Sequence, residues 1–128
     1  MPEAVTGDAD VILDVEFDRG LLFLVLENLG DGPAHGVRVR FEEPLHGLGG
    51  ERRIDRLQVF RRLEFLGPSR SIRIFLDRSA LFFAREEPTA VDVRVTWRDD
   101  RGRRGSRTIR RDLAAYRDFP YLEVPHDA

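Results

Sequence analysis

The sequence predicts an all-β fold, an antiparallel sandwich of about seven short strands. Apolar and polar residues alternate along several runs, the period of two that a half-buried strand requires. Between those runs lie segments dense in Gly, Pro, Asn and Asp, the residues that reverse a backbone at least cost. The stretch from Leu24 to Phe41, LVLENLGDGPAHGVRVRF, shows both signals together and reads as strand, loop and strand.

Taken in order, Val11, Leu13, Val15 and Phe17 alternate with Ile12, Asp14 and Glu16, which suits a strand with one buried face, and Asp18-Arg19-Gly20 supplies the turn after it. In the next strand Leu22, Leu24 and Leu26 share one side while Leu21, Phe23 and Val25 share the other, so both faces want cover. Val37, Val39 and Phe41 point inward, Arg38 and Arg40 outward. Residues 42–53, EEPLHGLGGERR, hold Pro44, Gly47, Gly49 and Gly50 and read as a mobile loop. Ile54, Leu57, Phe60, Leu63 and Leu66 then recur every three residues; a short helix and an irregular strand both fit, and short extended pieces are the reading taken here. Gly67-Pro68-Ser69 ends that region. Ile72, Ile74 and Leu76 mark another strand, and SALFFA within residues 77–88 is a helical turn. Val91, Val93, Val95 and Trp97 restore sharp alternation, Asp99 to Gly102 turn the chain, and residues 107–113 return, with Gly102 free to take the positive φ of a hairpin turn. Residues 1–9 are expected to be flexible, whereas the tail from residue 114, with Tyr116, Phe119, Tyr121 and Leu122, is too aromatic for a disordered end and is expected to pack on the sandwich. The predicted core is Leu13, Val15, Leu24, Leu26, Val39, Ile74, Val93, Val95 and Trp97.

A chain of 128 residues fits one domain and buries roughly two thirds of its unfolded surface. Absence of cysteine excludes disulfides, thiolate nucleophiles and Cys-ligated zinc. The longest apolar run, Leu21 to Leu26, is far short of the roughly 20 residues of a membrane helix, so no membrane span is expected. The amino terminus, MPEAVTGDAD, lacks the basic and apolar regions of a signal peptide, and a cytoplasmic location is expected. All 21 basic residues are Arg, which the codon bias of a GC-rich genome explains more simply than a demand for guanidinium at each site. A net charge of −2 argues against a general nucleic-acid binder. Charge is nevertheless uneven: residues 1–18 carry six acids and no base, whereas residues 98–117 carry eight Arg against Asp99, Asp100 and Asp112.

Six or seven short strands without repeat or linker form the pattern of an immunoglobulin-like or fibronectin-type sandwich. Leu26-Glu27-Asn28-Leu29-Gly30, Pro33-Ala34 and Val37-Arg38-Val39 resemble the bacterial and archaeal immunoglobulin-like domains of the cell-adhesion-related type, and Val95 to Arg103, with Trp97, Asp99, Asp100 and Gly102, resembles their final hairpin. The likeness covers about a third of the chain. It implies a sandwich used for adhesion, spacing or scaffolding, with no shared catalytic residue.

Asn28 tolerates left-handed φ and bonds nearby backbone, a structural role. Gly30, Gly32 and Gly36 precede no helix and the chain has no Lys, so they do not make a phosphate loop. His35, His46 and His126 lie in loops or the tail without metal-binding spacing, no serine sits in a GxSxG elbow, and Glu42-Glu43 and Glu86-Glu87 point to opposite faces of an extended chain. No enzyme activity, cofactor, metal or small-molecule substrate is therefore expected.

Two candidate interaction surfaces remain. Arg101, Arg103, Arg104 and Arg107 at the hairpin 98–111 present charge for an anionic ligand such as a nucleic acid or phospholipid headgroup. Arg107, Arg110 and Arg111 have a structural alternative, pairing with Asp14 and Glu16 if the first and last strands lie side by side. Leu21, Phe23 and Val25 suit a partner protein or a second copy, unless the aromatic tail or residues 81–84 fold over them. The leading expectation is a non-enzymatic interaction or scaffolding module, with anionic-ligand binding second.

Overall fold

Side-chain alternation decides which side of each strand is buried, and in the computed structural model, which describes residues 8–118, it does so in two antiparallel sheets. The expectations for residues 1–7, Phe119, Tyr121, Leu122 and His126 lie outside the described residues. Along the chain run β1 (Val11–Asp18), β2 (Leu21–Asn28), β3 (Ala34–Phe41) and the short ribbon of β4 (His46–Gly47) with β5 (Arg52–Arg53). Then follow α1 (Gln58–Arg61), β6 (Leu63–Leu66), β7 (Ser71–Arg78), α2 (Ser79–Ala84), β8 (Ala90–Arg98) and β9 (Arg104–Asp112). The smaller sheet has the order β1-β2-β7 and the larger β6-β3-β8-β9. Each buries one face against the other in a β-sandwich.

All nine positions expected in the core are buried. Leu22, Leu24 and Leu26 are fully inaccessible, as are Val37 and Val95 across the interface. The turn between β1 and β2 is two residues long, with φ of 54° at Arg19 and 83° at Gly20, the paired left-handed conformations whose twist matches flanking strands. Tyr116, at the described start of the tail, stacks on Phe17 at 6.5 Å, and its hydroxyl donates to the Val15 carbonyl at 3.4 Å. Burial there pushes the phenol's pKa up.

Two expectations are corrected. Residues 54–61 form two short helical turns, a 3-10 turn at Ile54–Arg56 and then α1, joined at Leu57, whose backbone is extended; β6 is the strand of this region. The three-residue period sets Ile54 in the first turn, Leu57 at the joint and Phe60 in the second; Ile54 and Phe60 are buried, Leu57 packs against the same core, and Phe60 meets Phe41 edge-on at 5.1 Å. The Gly-rich segment 42–53 is not a free loop but is tied down from both sides. Leu45 is buried, its N–H donating to Asp55 (3.0 Å) and its carbonyl accepting from Ile54 (2.8 Å). Asp77, only 1% exposed, accepts from the Gly49 N–H at 3.0 Å and from Arg85 at 2.7 Å, while Arg85 also donates to the His46 carbonyl at 3.1 Å. Gly47 passes so close to β7 that a Cβ would sit 2.1 Å from the Leu76 carbonyl oxygen.

Candidate functional site

With Val91, Val93, Val95 and Trp97 directed into the core, the intervening β8 residues Asp92, Arg94, Thr96 and Arg98 face outward. The same alternation turns Arg38 and Arg40 of β3 outward. Register then decides what meets what. Arg40 lies directly opposite Arg94, Arg98 opposite Arg104, Thr96 between Arg38 and Ser106, and Asp92 opposite Arg110. Beside β3, α1 brings Arg61 and the following Arg62.

The result is an open groove of about 890 Å³ on the outer face of the larger sheet, lined by Arg38, Arg61, Arg62, Arg94, Arg98 and Arg104 with one carboxylate, Glu64. A second depression of about 590 Å³ continues it towards Arg40 and Gln58, with Asp55, paired to Arg53, in its lining. Among the described residues, none of these six arginines, nor Arg40, has a carboxylate within 4.0 Å. Like charges directly opposite across strands are destabilising, and this face holds two such pairs. One end of the groove is closed by His35, whose Nε2 lies 2.7 Å from Asp100 Oδ1 and whose ring meets exposed Phe65 at 5.5 Å. Gly36 sits at the bulge in β3 with φ of 57°, and the Arg98 guanidinium packs over it so closely that a Cβ would lie 3.1 Å from its nearest nitrogen.

The hairpin arginines are divided by alternation. Arg104 reaches the groove. Arg107 and Arg111 have the opposite parity and turn to the sandwich edge, where Arg107 pairs with Asp10 (2.8 Å) and Arg111 with Asp14 (3.2 Å). The Arg107 guanidinium pKa is raised by its hydrogen bond and attraction to Asp10. Arg103 pairs with Asp99 (2.8 Å) and reaches Asp8 (3.2 Å). Partial burial pushes the Asp99 carboxyl up, but the Arg103 N–H and guanidinium and the Arg101 N–H outweigh it and hold the pKa below the usual value. Arg101 leaves its side chain exposed at the tip, with no ion pair among the described residues. The expected pairing with β1 therefore holds for Arg111 with Asp14, whereas Arg110 pairs with Asp92 on its own sheet and Glu16 with Arg73.

Leu21, Phe23 and Val25 are half-buried on the outer face of the smaller sheet. Among the described residues Phe23 has local cover: Phe75 meets it edge-on at 5.6 Å, and the Arg73 guanidinium lies 3.7 Å over its ring, held there by Glu16 and Asp18 at 3.0 Å each. From residues 81–84, Phe82 goes into the core instead, and Tyr116 goes to Phe17.

Sequence alone marks residues 98–111 as the cationic segment and gives no sign that Arg38, Arg40, Arg61, Arg62 and Arg94 belong to the same surface. The outward parity of Arg38 and Arg40 was the available signal; their neighbours across the sheet were not in it.

Fold and face together define a β-sandwich with one guanidinium-rich outer surface. The chain belongs to the family described as a domain of unknown function (DUF8453), whose model matches residues 5–117. No curated protein and no solved structure matches the chain. Among the described residues no helix is long and apolar enough to cross a membrane.

Proposed function

We propose that the domain is a non-enzymatic binding module that takes an anionic ligand on the outer face of its larger sheet. The observation that carries this reading is two pairs of directly opposed arginines on one face, Arg98 with Arg104 inside the groove and Arg94, which lines it, with Arg40 in the adjoining depression, all without a carboxylate partner among the described residues. Such a surface costs stability in the free protein, and a bound anion relieves that repulsion through charge-assisted, often bidentate, hydrogen bonds. The ligand surface is thus shifted from the hairpin tip to the sheet, with Arg104 common to both. The apolar patch of Leu21, Phe23 and Val25 supports partner binding less well, because Arg73 and Phe75 already cover Phe23.

Retention on immobilised heparin tests the reading. A protein of net charge −2 is retained at low salt only through a local concentration of positive charge. The wild-type chain and Arg101→Ser are expected to be retained and to elute together as salt rises, whereas Arg94→Ser/Arg98→Ser flows through with a melting temperature equal to or above wild type. Retention of the double variant would overturn the proposal.

A further inference from the structure

We infer that the groove is a site for a compact ligand bearing clustered phosphates, such as a di- or triphosphate, rather than for an extended polyanion. The inference rests on the anion-binding reading above and deepens it.

The arginines are arranged around a centre and not along a strip. Thr96 and Ser106 face each other on neighbouring strands and form a hydroxyl floor. Arg38 lies beside Thr96 on one flank, Arg94 and Arg98 stand two residues to either side of it along β8, and Arg104 lies opposite Arg98. Strands lie roughly 4.8 Å apart and residues two apart along a strand roughly 6.8 Å, so the Cα atoms of Arg38, Arg94 and Arg98 fall within about 7 Å of that of Thr96 and that of Arg104, on the diagonal, within about 8 Å. A guanidinium on its three-carbon stem easily spans such a distance, and Arg61 and Arg62 close the β3 side. The volume of about 890 Å³ lies within the usual range of small-molecule sites, roughly 300–1,000 Å³. Its lining combines guanidinium forks, which match phosphate oxygens bidentately, with hydroxyls that donate to them. Surfaces for single-stranded nucleic acid add exposed aromatic platforms for successive bases, but here Trp97, which borders the groove, is only 7% exposed, His35 is engaged with Phe65 and Asp100, and the floor carries Thr and Ser. Six guanidinium groups against Glu64 leave a charge excess that one monovalent anion does not neutralise, whereas a short phosphate chain does.

Calorimetric titration of the full chain at physiological salt tests this with inorganic tripolyphosphate, orthophosphate, ATP, oligo(dT), polyglutamate and vesicles containing phosphatidylinositol bisphosphate. Tripolyphosphate is expected to bind with one-to-one stoichiometry, at least about tenfold tighter than orthophosphate. Arg98→Ser and Arg104→Ser are each expected to weaken it about tenfold and Thr96→Val severalfold, the last a change that a purely coulombic surface would not register. ATP binding tighter than tripolyphosphate identifies a nucleotide as the source of the phosphates, and equal binding a free polyphosphate; both support the inference. Capture of oligo(dT), polyglutamate or vesicles without tripolyphosphate binding overturns it and leaves the anion-binding reading standing, while failure of every polyanion overturns both.

Discussion

Replacing Asn28 should remove more stability than any other single polar substitution of comparable size. The residue ends β2, is fully buried and uses its whole amide: Oδ1 accepts from the N–H groups of Asp10 (3.0 Å) and Gly30 (2.9 Å), while Nδ2 donates to the carbonyls of Gly32 (2.9 Å) and Leu66 (3.1 Å). These four bonds join the lead-in to β1, the turn after β2 and the end of β6, and therefore both sheets. In Asn28→Ala the two buried carbonyls lose their donor at roughly 1.5 kcal/mol each, and the two part-buried N–H groups, nearer to water, at about 0.5 kcal/mol each, a loss of about 4 kcal/mol. Against a stability of roughly 5–15 kcal/mol this is a large fraction, and at about 3–4 °C per kcal/mol it lowers the melting temperature by about 12–16 °C.

Urea titration of wild type and variant, followed by tryptophan fluorescence, measures the difference directly. A loss below about 1.5 kcal/mol would refute the accounting, since it would mean that water replaces the amide at all four partners. Asn28→Asp sharpens the test. Its carboxylate still accepts from Asp10 and Gly30, but the second oxygen faces the carbonyls of Gly32 and Leu66 and needs a proton to bond either. Its folded pKa is thus raised above the unfolded value of about 3.9. The variant's deficit relative to wild type should be greatest at neutral pH and shrink as pH falls through that raised folded value. A deficit independent of pH would show that Nδ2 does not sit between the two carbonyls.

Arg85→Met leaves the Asp77 carboxylate, 1% exposed, without its guanidinium; a loss of about 3 kcal/mol and faster chymotryptic cleavage at exposed Leu48 are expected, and resistance to cleavage would show that segment 46–50 does not depend on the pair. Arg19→Asn should stabilise by about 0.5–1 kcal/mol, because Asn tolerates the left-handed φ of 54° that Arg is forced into; an unchanged urea midpoint would count against strain at that turn. Asp55, Asp99 and Asp112 all have carboxyl pKa values lowered in the fold, Asp55 first by its hydrogen bond from Arg53 and Asp112 first by the Ala114 N–H. Their contribution is present above the unfolded carboxylate value of about 4 and is lost as pH falls through the lowered folded values, so the melting temperature should hold between pH 7 and 5 and drop steeply below about 4; a flat profile to pH 2 would contradict it.

Alternation is a local property, and it made much of the fold legible. The side-chain period of two in β1, β2 and β8 is written in consecutive residues, so Leu13, Leu24, Val93 and Val95 were assignable to the core before any strand was paired. The loop 42–53 shows the opposite case. Gly and Pro mark a chain that turns, but whether it is mobile depends on Asp77 and Arg85, which lie outside the segment and become partners only after β7 and α2 are in place. The three-residue period of Ile54, Leu57 and Phe60 fits two conformations, and packing of Phe60 on Phe41 selects the helical one.

The candidate site divides along the same line. By itself the sequence determined that Arg38 and Arg40 face away from the core and that the return strand of the hairpin carries arginine on both of its sides. Only the tertiary structure decided that Arg104 joins Arg38, Arg94 and Arg98 around Thr96 while Arg103, Arg107 and Arg111 are engaged by acids at the edge. The physical reason is that facing depends on parity within one strand, whereas neighbours depend on the order and register of strands far apart in the chain, set by the joint burial of both sheets and not by any one segment.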